Sequence, residues 1–369
     1  MKRFCFLLIM ALVGTANAQV GYTWLVNPAY DEAGDFSNGV AIVKKGGLFG
    51  AIDTNGKEII PVEYTELFPF TGKVSSFKRS NGMVGMINYQ GKVLCEKSYD
   101  KIFPVTDSCA KVQKGDYGFI DAWGREIVPC KYGNLLPFNN NMTYFFYGLK
   151  YGFYNTKGET VVPLTYTNVG TFSDGLCAVS LKDKWGYINT SGKLVIPMEY
   201  EDAGVFSEGL ACVQKNGKFG FIDKAGQVVI PFKFDMQANF NDGVIEVFEN
   251  NSSGESVATY YDKTGKKLFA LNTGWWTDGP FSEDFLPVAD GHYFGFLDKS
   301  GKQPFPMEFE KVSKFSDGVA TVKMDGYIGV INTAGEKIVT PQFELAGNCV
   351  DGLIPVKKDG KWGYILLTE

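Results

Sequence analysis

Histidine is almost missing from this chain: His292 is the only one in 369 residues. That removes most zinc sites, Ser-His-Asp triads and Cys-His dyads, all of which need a dedicated imidazole. Gly-x-Ser-x-Gly, a P-loop, His-Glu-x-x-His and spaced Cys-x-x-Cys pairs are also lacking, so no common catalytic or structural-metal motif is present. No catalytic, cofactor or metal residues are expected. Long apolar runs are scarce as well. Residues 1–18 carry the only export-like one: Lys2 and Arg3, an apolar stretch from Phe4 to Val13, then Ala16-Asn17-Ala18. This order reads as a secretory signal peptide cut after Ala18, and the run is too short to span a bilayer comfortably. The chain from 19 to 369 is therefore expected as a single exported domain, periplasmic or extracellular, with no membrane span after cleavage.

An excess of positive charge is lacking too. The chain has 36 basic and 41 acidic residues, and loss of Lys2 and Arg3 would leave 34 against 41. A phosphate-binding surface wants the opposite balance, so nucleic acid is not an expected partner. Seven cysteines are present, six of them after the signal. An even number in an exported chain permits disulfides. Their positions within the repeats described next do not match, so most are expected as free, buried thiols. One bridge, Cys95–Cys130, is the alternative.

What the chain has in abundance is a recurring string, clearest from Lys218 to Pro231. The marker, the glycine after a large apolar residue in what is mostly an aromatic-Gly-aromatic run, falls at Gly50, Gly85, Gly118, Gly152, Gly186, Gly220, Gly295, Gly329 and Gly363. The steps are 35, 33, 34, 34, 34, 75, 34 and 34 residues. The long step hides a worn copy, Ala258-Thr259-Tyr260-Tyr261-Asp262, so ten units tile the chain. Each unit reads as a three-stranded antiparallel meander. A Phe-Ser-x-Gly signal, as in Phe206-Ser207-Glu208-Gly209, opens the first strand. The marker forms the second, and a run such as Val228 to Ile230, stopped by Pro231, forms the third. Asn216-Gly217 is a strong hairpin signal, and Asp223-x-x-Gly226 is a turn whose Asp can bond local amides. The marker glycine leaves one strand face bare, where a neighbour can approach. The third strands are apolar on both faces, so each sheet should be covered on both sides by its neighbours.

The string Lys184-Trp185-Gly186-Tyr187-Ile188-Asn189, continued to Tyr200, resembles the WG-repeat (KWG-repeat) family of bacterial proteins, and the resemblance spans nearly the whole chain after the signal. Departures fall at Val84, Ile328, Ala258 and Thr259. The resemblance implies an all-β array with no defined enzymatic activity, and brings no catalytic residues. Two arrangements follow. Ten units exceed the usual blade number of propellers, whose blades carry four strands, which favours an open twisted stack. A closed propeller-like ring is the alternative, in which a strand around Gly21 to Tyr30 completes the last unit, since the chain stops just after its final marker.

The turn residues Asp53, Asn88, Asp121, Asn155, Asn189, Asp223, Asp262, Asp298 and Asn332 form a periodic polar set. Asp and Asn interchange there, which acid–base work would not tolerate and turn capping would. The strongest anomaly is the worn seventh unit. It carries an insertion, Glu249 to Glu255, and is followed by Trp275 and Trp276 in a turn-rich stretch. Trp275, Trp276, Tyr260 and Tyr261 are the candidate contact surface, suited to a protein hot spot or to sugar stacking; core filling is the competing reading. The function expected is that of a non-enzymatic scaffold binding another envelope or extracellular protein, with glycan binding at the seventh unit as the alternative.

Overall fold

The computed structural model describes residues 21–368; the signal segment expected at 1–18 lies outside them. Among the described residues all regular structure is β, in ten small antiparallel sheets. Together they form a ten-bladed, propeller-like ring. Blade 6 shows the plan: Asp202–Ser207, Leu210–Lys215, Lys218–Asp223 and Val228–Phe234, each paired with the next in order. The units are therefore richer than the three-stranded meanders expected. Seven of the ten sheets have four strands, because a further strand leads into the Phe-Ser-x-Gly turn, six residues long in blades 3 and 6 and two in the others. In blade 5 it is only Asn168–Val169, too short to leave an alternation in the sequence. Blades 4, 7 and 8 have three strands.

Local chemistry sets the turns. Asn216 and Gly217 both have positive φ, 53° and 74°, as a two-residue hairpin of the right twist requires. In all nine periodic Asp/Asn turns the side-chain oxygen accepts two backbone N–H groups, two and four residues on. Asp223 Oδ1 takes Ala225 and Gln227 at 2.9 and 2.8 Å, and Asn189 Oδ1 takes Ser191 and Lys193 at 3.0 Å each. The carbonyl-type oxygen common to both residues is all the turn uses.

The marker glycine has a reason different from the expected approach of a neighbouring unit. Trp185 pairs with Tyr200 but Tyr187 with Ile196, so two residues on one strand face four on the other. The last strand bulges there, at Pro197, which has no N–H to lose from the ladder. A Cβ on Gly186 would lie 2.5 Å from Ile196 O and 2.9 Å from Met198 N. Thus the glycine makes room for the bulge of its own blade.

Between blades, two contacts repeat. The aromatic after the marker packs on the turn Phe of the next blade: Tyr187 on Phe206 at 4.9 Å between ring centroids, Phe221 on Phe240 at 5.0 Å, and Tyr364 on Phe36 at 5.2 Å. The turn glycine of Asp/Asn-x-x-Gly packs on the last strand of the blade before, as Gly192 does on Val161 and Val162, except Gly335, which meets Phe305 outside any strand. The core is consequently a series of clusters, each shared by neighbouring blades. The middle strands are covered on both faces, but the last strands are not, contrary to the expectation from their apolar runs: Val228 and Val229 are 52% and 38% exposed, and only Ile230 of that run is fully buried.

Of the two arrangements, the ring is found and the favoured open stack is not. Tyr22–Tyr30 pairs antiparallel with Lys361–Leu367, with Tyr22 opposite Leu367 and Tyr30 opposite Trp362. It supplies the missing last strand of blade 10, including its bulge, where Gly363 faces Asn27 and Pro28. An open stack would leave that edge of Lys361–Leu367 unpaired.

Candidate functional site

The Phe-Ser-x-Gly and Asp/Asn-x-x-Gly turns lie at one end of the blades, since each strand reverses the chain. At that end the x residues link successive blades. Asp174 Oδ2 accepts the Gly209 N–H at 2.7 Å, Glu208 Oε2 accepts that of Gly243 at 3.0 Å, and Asp317 Oδ2 that of Gly352 at 2.7 Å. Glu283 takes two such N–H groups, Asp317 and Gly318. These residues have positive φ, between 51° and 56°, a conformation that disfavours a β-carbon and that these links help to hold. The carboxylates are thereby occupied in joining blades.

A cavity of about 900 Å³ opens at this same end across blades 2 to 4. Blade 3 departs from the repeat here. Val105 stands where most units have the turn Phe (blade 10 has Cys349), and Ser108 replaces the turn glycine, with Asp107 and Ser108 both at positive φ. Val105 faces Met86 of blade 2 in the core, a smaller pair than two aromatic rings. Val74, Leu94, Ala122 and Ile127 supply apolar lining. Over it stands Trp123, 68% exposed. Its turn is rigid: Asp121 Oδ1 accepts the N–H groups of Trp123 and Arg125 at 2.9 Å each, and Asp121 Oδ2 takes Arg125 Nε at 2.6 Å. The Arg125 guanidinium thus sits 5.6 Å from the Trp123 ring. Across the cleft, Lys73 Nζ lies 5.8 Å from the ring of Tyr89, and Gln90 donates to the Tyr89 hydroxyl at 3.4 Å. Cys109 lines the cleft, but burial, with Asp107 and Asp121 nearby, pushes its thiol up to about 12, so it is a neutral wall and not a nucleophile at neutral pH.

The sequence signal for this cleft was available. Asp121-Ala122-Trp123-Gly124 is the only capped turn with tryptophan before its glycine; the others have Asn55, Gln90, Lys157, Ser191, Ala225, Thr264, Ser300 and Ala334. The other singular residue, His292, is exposed in its hairpin, where Asp290 Oδ1 accepts its N–H at 2.8 Å.

The seventh-unit residues divide. Tyr260 and Tyr261 are core, 2% and 7% exposed, packed on Phe281 and Phe234 respectively; neither presents a surface. Trp275 is half-buried against the cluster shared by blades 7 and 8. Trp276 is 48% exposed. Far from capping a loop, it begins the first strand of blade 8, Trp276–Thr277, opposite Ala289. The six described cysteines are free thiols. Burial drives Cys177 and Cys349 up to about 12 and Cys212 to about 11.

A family model described as WG containing repeat matches nine stretches: 23–49, 49–81, 85–116, 117–147, 151–185, 185–219, 219–252, 294–327 and 328–362. The unmatched interval from 253 to 293 is the worn seventh unit and the start of blade 8. No curated protein matches the chain. Among solved structures, BamB from Moraxella catarrhalis is similar over 94% of this chain and 98% of its own, at 11% identity and a TM-score of 0.33. Kluyveromyces lactis Hsv2p covers 64% of this chain and 93% of its own, at 12% identity and a TM-score of 0.33. Overlap of that quality carries nothing about role.

Proposed function

The chain belongs to the WG-containing repeat family, and from that premise we propose that it is an exported, non-enzymatic module that binds another protein of the cell envelope or its surroundings. The observation that carries this reading is the cleft over blades 2 to 4. Trp123, Arg125 and Tyr89 stand on short, hydrogen-bonded turns around a partly apolar hollow. Tryptophan, tyrosine and arginine in desolvated hollows are the residues on which protein contacts most often depend. Their turns are held by a ring of sheets, so little side-chain or loop freedom is lost on docking. Export rests on the order of charges, apolar run and small residues in 1–18, and the compartment is the periplasm or beyond.

The test is a pull-down from envelope extract with the chain beginning at Gln19, wild type beside Trp123→Ala and Trp276→Ala. A protein is expected to be retained by wild type and by Trp276→Ala, and weakened roughly 30-fold by Trp123→Ala, the scale of a hot-spot loss. Retention of polysaccharide with no protein overturns the reading. Export is checked on the protein recovered from cells: an N-terminus at Gln19 is expected, and an uncut Met1 in the cytosolic fraction refutes it.

A further inference from the structure

The hairpin leading into the marker strand lies at the end of each blade opposite the cleft. Its tip is polar in most of the ring, as in Lys114-Gly115-Asp116, Lys215-Asn216-Gly217-Lys218 and Lys358-Asp359-Gly360-Lys361. In blade 4 it is Tyr147-Gly148-Leu149-Lys150. Tyr147 is 81% exposed and Leu149 86%, the two most exposed large apolar side chains among the described residues. Phe146 beside them is also exposed and leans on Tyr151, with ring centroids 5.8 Å apart. Leu164 stands exposed on the last strand of the same blade. No core contact accounts for an apolar tip that stands out into water.

Negative charge is withdrawn from the same tip. In five other blades a carboxylate at the entry to the blade accepts a hairpin N–H: Asp31 from Gly46 at 2.7 Å, Asp100 from Gly115 at 2.8 Å, Glu201 from Gly217 at 2.9 Å, and Glu310 and Glu344 from Gly326 and Gly360 at 3.0 and 2.9 Å. Blade 4 has Gly133 at that position, so its hairpin lacks the carboxylate. Lysines gather there instead. Lys150 is in the hairpin, Lys131 is near the end of the last strand of blade 3, Lys114 is in the hairpin of blade 3, and Lys182 and Lys184 are in that of blade 5. Among the described residues none of these five is in an ion pair. Lysines at the same end of other blades are: Lys44 with Glu32 at 2.7 Å, Lys215 with Glu199 at 3.1 Å and Lys361 with Asp31 at 2.5 Å. The acids of the sector are Asp116, Asp183 and Asp100, the last engaged with Gly115. The sector is thus positive although the chain as a whole carries −5.

We propose that this end of blades 3 to 5 rests on an anionic phospholipid surface, with Tyr147 and Leu149 in the boundary between headgroups and acyl chains and the lysines on the phosphates around them. The convex shape of the tip favours lipid. A protein would have to offer a matching pocket for two side chains that stand out from the surface, whereas a lipid layer closes round them without one. Leucine goes to the apolar side of that boundary and tyrosine to its wet side, and lysine stems reach from one to the other. A single apolar tip adheres weakly, and each lysine beside an anionic surface adds about fivefold, so the two signals work together. Phosphate oxygens can take the hairpin N–H groups of blade 4 as carboxylates do in the other five blades. The cleft over blades 2 to 4 opens at the far end of the ring and so faces away from the lipid.

This surface is separate from the cleft and stands or falls without it. The test is co-sedimentation of the chain from Gln19 with vesicles, either of phosphatidylcholine alone or of phosphatidylcholine and phosphatidylglycerol in equal parts. Binding is expected to the mixed vesicles and much less to the neutral ones. Replacing both Tyr147→Ser and Leu149→Ser should weaken it about tenfold, from the apolar area removed. Lys131→Gln and Lys184→Gln should each weaken it about fivefold. All four positions are exposed, so melting temperatures should match that of wild type, which separates lost adhesion from lost folding. Trp123→Ala, at the other end of the ring, should leave binding unchanged. Failure to bind the mixed vesicles overturns the proposal. So does binding that ignores Tyr147 and Leu149, which would be charge attraction without insertion, or equal binding to both kinds of vesicle. Capture of an acidic protein by this hairpin in place of vesicles overturns it as well.

Discussion

A single oxygen atom explains why Asp and Asn trade places at nine positions around the molecule. Each turn asks for an acceptor aimed at two backbone N–H groups, and except at Asp121, whose second oxygen takes Arg125, the backbone bonds use neither a second oxygen nor a charge. Asp223→Asn should therefore leave stability within about 0.5 kcal/mol of wild type, whereas Asp223→Ala should cost about 1–3 kcal/mol, the net worth of two hydrogen bonds. Chemical denaturation of the three proteins decides it; a large loss in the Asn variant would mean that the carboxylate has a task beyond the turn. These turns were legible in the sequence because the interchange itself reveals which atom is needed. Tyr260 was legible only as an aromatic. Trp123 sat between: its turn was recognised, but its singularity emerges only when all nine turns are compared at the same position.

Within a blade, the long strands were readable and the short ones were not. The second, third and fourth strands carry six or seven residues in blade 6, enough for alternation and turn signals to register. The short strand of blade 5 has two, and its pairing is set by the tight passage from the blade before. Missing that strand, together with a unit count above the usual blade number, is what made an open stack look better than a propeller. The bulge is the other feature at this scale. Its proline was visible, and so was the marker glycine, but not that they face each other across two strands of one blade. Gly186→Ala should drive a methyl group against the backbone at Ile196 and Met198 and cost about 1–3 kcal/mol, the range for overpacking. A melting curve unchanged from wild type would show that the bulge yields freely.

Across the whole molecule, stability depends on a circle in which each blade leans on the next. Removing Tyr22–Tyr30 takes the last strand from blade 10 and the packing of Tyr22 and Trp24 against Phe343 of blade 9. The strand Lys361–Leu367 would then present unpaired backbone along one edge. A chain beginning at Asp31 should melt at lower temperature and associate as its concentration rises, read by light scattering beside calorimetry. A monomer melting like wild type would show that closure adds nothing.

The clasp between Tyr22–Tyr30 and Lys361–Leu367 also fixes an order of events. Tyr22 is made 345 residues before its partner Leu367 (367 − 22). At roughly 5–20 residues per second of synthesis, the strand that completes the circle waits on the order of tens of seconds for its mate. Throughout that delay nine blades can assemble while an apolar ribbon hangs free at the newborn end. Export would prolong the delay by passing that end through first. The seven residues Lys361–Leu367 thus act as a latch: a chain cut short before them would be almost entirely folded, yet unable to shut.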